Sequence, residues 1–151
     1  MTTKILTLTL LLLATLTACD GKPQRLADLG VVEGADVTYL ADSLEPLTAE
    51  VQLWHENGEL KSEWNYVNGK QEGLSRDWYE NGELWLERNY VNGKIEGLNR
   101  WWHYNGELKG ENNLVNGKRE GLQRRWNGAG KLQSEICYEG GEEVAMTHCT
   151  P

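Results

Sequence analysis

The chain has 151 residues, with 15 Lys and Arg against 23 Asp and Glu, a formal net charge of −8 that becomes −9 if a leader carrying Lys4 is removed. That length suits one domain, and the acidic balance without a basic stripe excludes a phosphate-backbone reader, so no nucleic acid is expected as partner. Only 3 Cys and 3 His are present, with no Cys-x-x-Cys pair or His/Cys cluster, so neither a metal nor a cofactor is expected.

Residues 1–18 read as a leader. Lys4 supplies the positive start, and Ile5–Leu16 is an apolar run broken only by Thr, too short for a bilayer span of roughly 20 residues. Leu16-Thr17-Ala18-Cys19 resembles a bacterial lipobox. The resemblance implies cleavage before Cys19, lipidation of that residue, and anchoring in the bacterial cell envelope facing the periplasm, with the membrane contacted through lipid alone. Asp20 resembles an inner-membrane retention signal of enterobacterial lipoproteins; the choice between inner and outer membrane stays open. Residues 19–36 are polar and read as a flexible tether, its sixteen residues from Gly21 reaching at most about 55 Å. Residues 37–50 read as a half-repeat that caps a repeat array starting at Val51.

Residues 51–74, 75–98 and 99–122 are three versions of one 24-residue block, and 123–146 is a decayed fourth; the first two share 16 of 24 positions and the second and third share 15. Self-similarity at this period means one supersecondary unit stacked on itself, with function carried on an extended surface. Each full block holds two Asn-Gly pairs: Asn57-Gly58 and Asn68-Gly69, Asn81-Gly82 and Asn92-Gly93, Asn105-Gly106 and Asn116-Gly117. Asn-Gly supplies the positive φ that a type I′ turn demands at both central positions, so each pair predicts a β-hairpin. The runs between turns are rich in Trp, Tyr, Val and Leu, and no Pro occurs from 47 to 150. The expected fold is all-β: an elongated single-layer antiparallel β-meander, two strands per repeat, about nine or ten strands in all. Residues 37–146 form that domain and 147–151 a tail.

Two-residue turns fix a register. Around Asn81-Gly82, Trp78 would face Trp85 and Arg76 would face Glu87; the same construction pairs Arg100 with Glu111, Arg124 with Glu135 and Gln52 with Glu63. Opposed charges are structural ladders, and no carboxylate has a second acid as its partner for hydrolytic chemistry. Trp54, Trp78, Trp102 and Trp126 form a column on that face with Leu74, Leu98 and Leu122, while Leu60, Leu84, Leu108 and Leu132 are expected on the other. Gly73, Gly97 and Gly121 are expected at bends or bulges. Cys137 and Cys149 remain as an even pair in an exported chain. They either form a disulfide worth on the order of 3 kcal/mol or leave a buried Cys137 and a free thiol in the tail.

Trp-x-x-Asn-Gly-x-Leu-x-x-Glu followed by Tyr-Val-Asn-Gly-Lys-x-Glu-Gly-Leu resembles the bacterial variant of the MORN repeat found in YwqK-type antitoxin-like proteins. Pro46-Leu47-Thr48-Ala49 is similar to the Pro-Phe-Thr-Gly lead-in of such arrays. The resemblance implies single-layer β-meanders that bind proteins.

No Ser or Cys nucleophile sits beside His55, His103 or His148 in a recognisable motif, so an enzyme is not expected. The leading expectation is a lipid-anchored protein-binding module with an unidentified protein partner. One version is an immunity protein, or antitoxin, that neutralises a basic toxin in the periplasm. A scaffold lipoprotein and a module binding cell-envelope glycans by ring stacking are the alternatives. Packing keeps repeated columns alike, so the positions that vary between repeats mark the candidate partner-binding face: His55, Trp64, Tyr79, Arg88, Trp101 and His103, on the side away from the Trp column. Trp101 and Tyr79 are its expected anchors, dispensable for folding.

Overall fold

The computed structural model describes residues 31–33, 38–40 and 45–149. The leader and Cys19 lie outside the described residues. Apart from one 3-10 turn at Met146–His148, regular structure among the described residues is strand throughout. No helix there is long and apolar enough to cross a membrane.

A small antiparallel hairpin joins β1 (Val31–Glu33) to β2 (Thr38–Leu40). This corrects the tether expectation at its end, since Val31–Glu33 pairs as a strand. Eleven strands then make one antiparallel sheet: β3 (Ala49–Trp54), β4 (Leu60–Val67), β5 (Lys70–Gln71), β6 (Gly73–Trp78), β7 (Leu84–Val91), β8 (Lys94–Ile95), β9 (Gly97–Trp102), β10 (Leu108–Val115), β11 (Lys118–Trp126), β12 (Leu132–Glu139) and β13 (Glu142–Val144). It is the expected meander of repeats. The extra strands arise because the chain breaks after β5 and β8. Gly73 and Gly97 there take φ of 77° and 78°, and Glu72 N–H reaches back to Asn65 O at 2.9 Å. Between the pairs Tyr66↔Gln71 and Ser62↔Asp77 the β4 partner strand carries extra residues, the bulge that bends a sheet.

The two Asn-Gly pairs of each block make different turns. At Asn68-Gly69 both residues have positive φ, 51° and 77°, as type I′ requires. At Asn57-Gly58 only the glycine does, at 86°. There Gly58 N–H donates to His55 O and His55 N–H to Glu59 O, at 2.9 and 2.8 Å, a three-residue loop with the glycine closing it. The second and third blocks repeat this at Tyr79–Glu83 and His103–Glu107. The longer loop shifts register by one, and a bulge at Lys61, Trp85 or Lys109 shifts it back. Trp78 therefore lies opposite Leu84 and not Trp85, while Arg76 still lies opposite Glu87. The Leu60, Leu84 and Leu108 column thereby joins the Trp column on one face, correcting the expected split.

The ladders follow the restored register. Gln52 donates to Glu63 at 2.9 Å, Arg76 to Glu87 at 2.9 Å and Arg124 to Glu135 at 2.8 Å. Arg100 and Glu111 stand 3.5 Å apart, and Arg124 also reaches Glu111 at 3.3 Å, tying one repeat to the next.

Apart from Cys137, burial along the sheet lies on the unexpected side. The face away from the Trp column holds buried Val51, Leu53, Ser62, Tyr66, Ser75, Asp77, Tyr90, Asn112, Leu114 and Gln123, whereas Leu74 and Leu98 beside the Trp column are exposed. No second layer covers that face among the described residues, and its side chains are buried among their neighbours on the bulged sheet. At the first end Leu47, Val51, Leu53 and Tyr66 form a core cluster. At the other, Cys137 is 1% exposed and bonded to Cys149, with Cα atoms 5.8 Å apart, so the short helical turn folds back over β12.

Candidate functional site

Repeats are tied along the stack by side chains that reach backbone 23 residues on. His55 Nε2 donates to Trp78 O at 2.8 Å, Tyr79 Oη to Trp102 O at 2.8 Å, and His103 Nε2 to Trp126 O at 3.0 Å. A carbonyl can only accept, so both imidazoles carry their proton on Nε2. Asn57, Asn81 and Asn105 add a parallel row, donating to Glu80 O, Tyr104 O and Gly128 O at 2.6, 2.8 and 2.8 Å. On the opposite edge of the sheet Glu72, Glu96 and Glu120 accept the N–H of Asn92, Asn116 and Gly140 at 2.8, 2.6 and 2.9 Å, and Thr48 does the same for Asn68 at 2.9 Å. The repeated Glu of Glu-Gly-Leu thus caps the next repeat's turn. Thr48 supplies that cap where the array begins.

The six candidate residues serve this framework and the enclosed face. Trp64 Nε1 donates to Asp77 Oδ1 at 3.2 Å, and Arg88 Nη2 pairs with Asp77 Oδ2 at 3.3 Å. Arg88 also lies over the Tyr90 ring, 5.5 Å from its centroid. The polar row continues from Asn99 to Asn112 at 2.9 Å and from Asn112 to Gln123 at 3.4 Å. Trp101 lies against Gly110, where an added Cβ would come within 2.2 Å of its ring. These contacts replace the expected freedom of Trp101 and Tyr79 from structural duty.

One place on this regular surface is irregular. Tyr79, Trp85 and Tyr104 form an aromatic group, with Tyr79 centred 6.2 Å from Trp85 and 5.1 Å from Tyr104 in an edge-on arrangement. Trp85 is 46% exposed and Tyr104 is 59% exposed. They border a cleft of about 390 Å³ whose walls include His55, Lys61, Asp77 and Glu80. Burial pushes the Tyr79 phenol above its ordinary value, so the hydroxyl remains a donor to Trp102 O, and the ring is held in place. Of the six candidates only His55 and Tyr79 line the cleft.

Trp85 and Tyr104 escape a reading that ranks variable strand positions, because both sit where the hairpin ends. Trp85 occupies the bulge, in the column of Lys61, Lys109 and Gln133; Tyr104 occupies the turn, in the column of Glu56, Glu80 and Gly128. The signal is present in the sequence as two aromatic residues interrupting charged or polar columns. A bulge is also where a side chain is re-aimed out of the ladder.

A second hollow, about 280 Å³, lies beside the disulfide between Glu120, Leu122, Tyr138 and His148. No group of three or more potential metal ligands occurs among the described residues. The MORN repeat variant family matches residues 47–68, 71–92, 95–116 and 119–139, more than half of the chain. Neither the curated proteins nor the solved structures give a match.

Proposed function

The chain belongs to the MORN repeat variant family, and from that premise we propose that it is a lipid-anchored protein of the bacterial cell envelope that binds another protein and catalyses nothing. The observation that carries this reading is the exposed aromatic group of Tyr79, Trp85 and Tyr104, which interrupts polar columns of the array. Repeated columns also leave Val67, Val91, Val115, Leu74 and Leu98 exposed, but only at Trp85 and Tyr104 do exposed aromatic rings gather among the described residues. Exposed, clustered aromatic residues beside charged groups are what a protein interface uses as anchors. A stack of repeats keeps such a cluster rigid, which lowers the cost of binding.

Within this reading the specific version is an immunity protein: the lipid at Cys19 holds the domain at the periplasmic membrane surface, where it captures an arriving basic toxin. The net charge of −8 favours a basic partner and speeds encounter with it. A glycan could stack on the same exposed Trp85 ring, the feature that keeps the glycan-binding alternative in play.

Two measurements test the proposal. Palmitate labelling should mark the wild-type protein and be lost in Cys19→Ser; label that persists ends the anchoring claim. Capture from envelope extract should retain a partner on the wild-type domain and lose it on a Trp85→Gln/Tyr104→Glu variant, which carries residue types found at the same positions of other repeats. Equal capture by both would remove the aromatic group from the function.

A further inference from the structure

We propose that the cleft at Tyr79, Trp85 and Tyr104 receives a cationic side chain, an arginine guanidinium or a lysine ammonium, presented by a basic partner. The inference rests on the protein-binding reading and names the chemistry by which the cleft selects its occupant.

The rings supply the first half of the argument. An aromatic face carries negative potential, and a cation within about 6 Å of a ring centroid is attracted to it. Here three rings lie with neighbouring centroids 5.1 and 6.2 Å apart, so a cation entering between them is within reach of more than one. The volume of about 390 Å³ admits a side chain. Two of the three rings are substantially exposed, Trp85 at 46% and Tyr104 at 59%, so the cleft is open from solvent.

Charge supplies the second half. The three hairpin tips around the cleft, residues 55–59, 79–83 and 103–107, carry Glu56, Glu59, Glu80, Glu83 and Glu107 and not one Lys or Arg. Glu80 itself lines the cleft and makes no ion pair among the described residues. Asp77 also lines it, with its carboxylate shared by Trp64 and Arg88. The opposite tips at 67–72, 91–96 and 115–120 differ: Lys70, Lys94, Lys118 and Arg119 balance Glu72, Glu96 and Glu120 there, and those three acids are occupied in capping turns. The aromatic cleft therefore opens among the tips whose acids have no balancing Lys or Arg. Low-dielectric ring walls with carboxylates at the rim focus potential that draws cations in. Lys61 is the one Lys or Arg in the cleft wall among the described residues. It opposes a cationic guest and would favour an anionic one, and this opposition makes the proposal decidable.

The test is fluorescence anisotropy with the full lipidated chain in detergent and a labelled octapeptide of alternating Gly and Arg, against the same peptide with citrulline, which keeps the shape and removes the charge. The arginine peptide should bind at least about tenfold more tightly than the citrulline peptide. Trp85→Gln keeps the net charge and takes the residue found at Gln133; it should weaken arginine-peptide binding by roughly fivefold or more at unchanged melting temperature. Lys61→Gln should tighten it. Equal binding of the arginine peptide to wild type and Trp85→Gln would overturn the proposal, because charge alone would then account for binding. So would equal binding of the citrulline peptide, or weaker binding to Lys61→Gln. If these tests fail while Trp85→Gln still abolishes capture of a partner from envelope extract, protein binding stands and the cationic anchor falls. If the peptide tests succeed and no partner is captured, the cleft chemistry stands and the protein-binding reading falls.

Discussion

At the scale of single residues, the same dipeptide does two jobs in this chain. Asn68, Asn92 and Asn116 adopt φ of 51–52° and shape tight turns by backbone conformation. Asn57, Asn81 and Asn105 act through their side chains: Asn81 Oδ1 accepts from Glu83 N–H at 3.2 Å while its amide donates to Tyr104 O at 2.8 Å. The glycine after each is the residue that must turn left-handed. Gly82 has φ of 82°, and the nearest atom to an added Cβ would be Glu59 Oε2 at 3.9 Å. Space is thus available, and any cost of a side chain lies in the backbone. Gly82→Val should lose about 1–3 kcal/mol, read as a lower midpoint in thermal unfolding, because a β-branched residue is a steric outlier there. Wild-type stability in Gly82→Val would mean that this turn is not the one described.

At the scale of strands, large and small residues alternate across neighbours so that the enclosed face fills. Trp101 lies opposite Gly110 on one side and Leu86 on the other. The equivalents of Trp101 and Gly110 in the first repeat are Leu53 and Ser62, which also face each other. The variation at these positions is therefore compensated packing, which a comparison of columns one at a time reads as free variation. Two substitutions check this. Trp101→Ala should destabilise by about 2–4 kcal/mol, since it empties the contact. Gly110→Ala should cost about 1–3 kcal/mol by collision with the same ring. The pair combined should cost less than the sum, the mark of residues in direct contact. Strict additivity would contradict the packing.

The strand register was legible in the sequence because Asn-Gly marks the centre of each turn: Arg76 pairs with Glu87 and Arg124 with Glu135, as that construction requires. The tip geometry was not legible, because the three-residue loop and the bulge beyond it cancel. Any reading based on the ladder sees only their sum. The position of Trp85 depends on that hidden bulge, and so the cleft could not be assembled from strand alternation. The bends at Gly73 and Gly97 were legible as glycines interrupting strands, and both residues take positive φ there. The side that closes was out of reach, because periodicity reports only which residues share a face.

At the scale of the molecule, the array is a line of units held by nearest neighbours and sealed at both ends. Leu47 is 4% exposed in the first cap, and the Cys137–Cys149 bond fastens the last. Such a stack should lose stability locally when one end is released. Reducing the disulfide removes a constraint worth about 3 kcal/mol, and hydrogen exchange should accelerate in β11, β12 and β13 while β3, β4 and β6 stay protected. Uniform acceleration across all repeats would show that the array unfolds as one body. The same modularity permits a binding cluster: substitutions at one bulge and one turn change the surface there without disturbing the ties on either side. Every tie is made by a residue other than Trp85, and Tyr104 contributes only its carbonyl to one.

The most direct test is the melting temperature of the Trp85→Gln/Tyr104→Glu variant, which gives the aromatic group residue types found at the same positions of other repeats. If the aromatic group exists for recognition and the framework for folding, the midpoint should stay within about 4 °C of wild type, far less than the fall expected for Trp101→Ala. A fall as large as that of Trp101→Ala would show that Trp85 and Tyr104 hold the sheet together, contradicting the claim that they form a site.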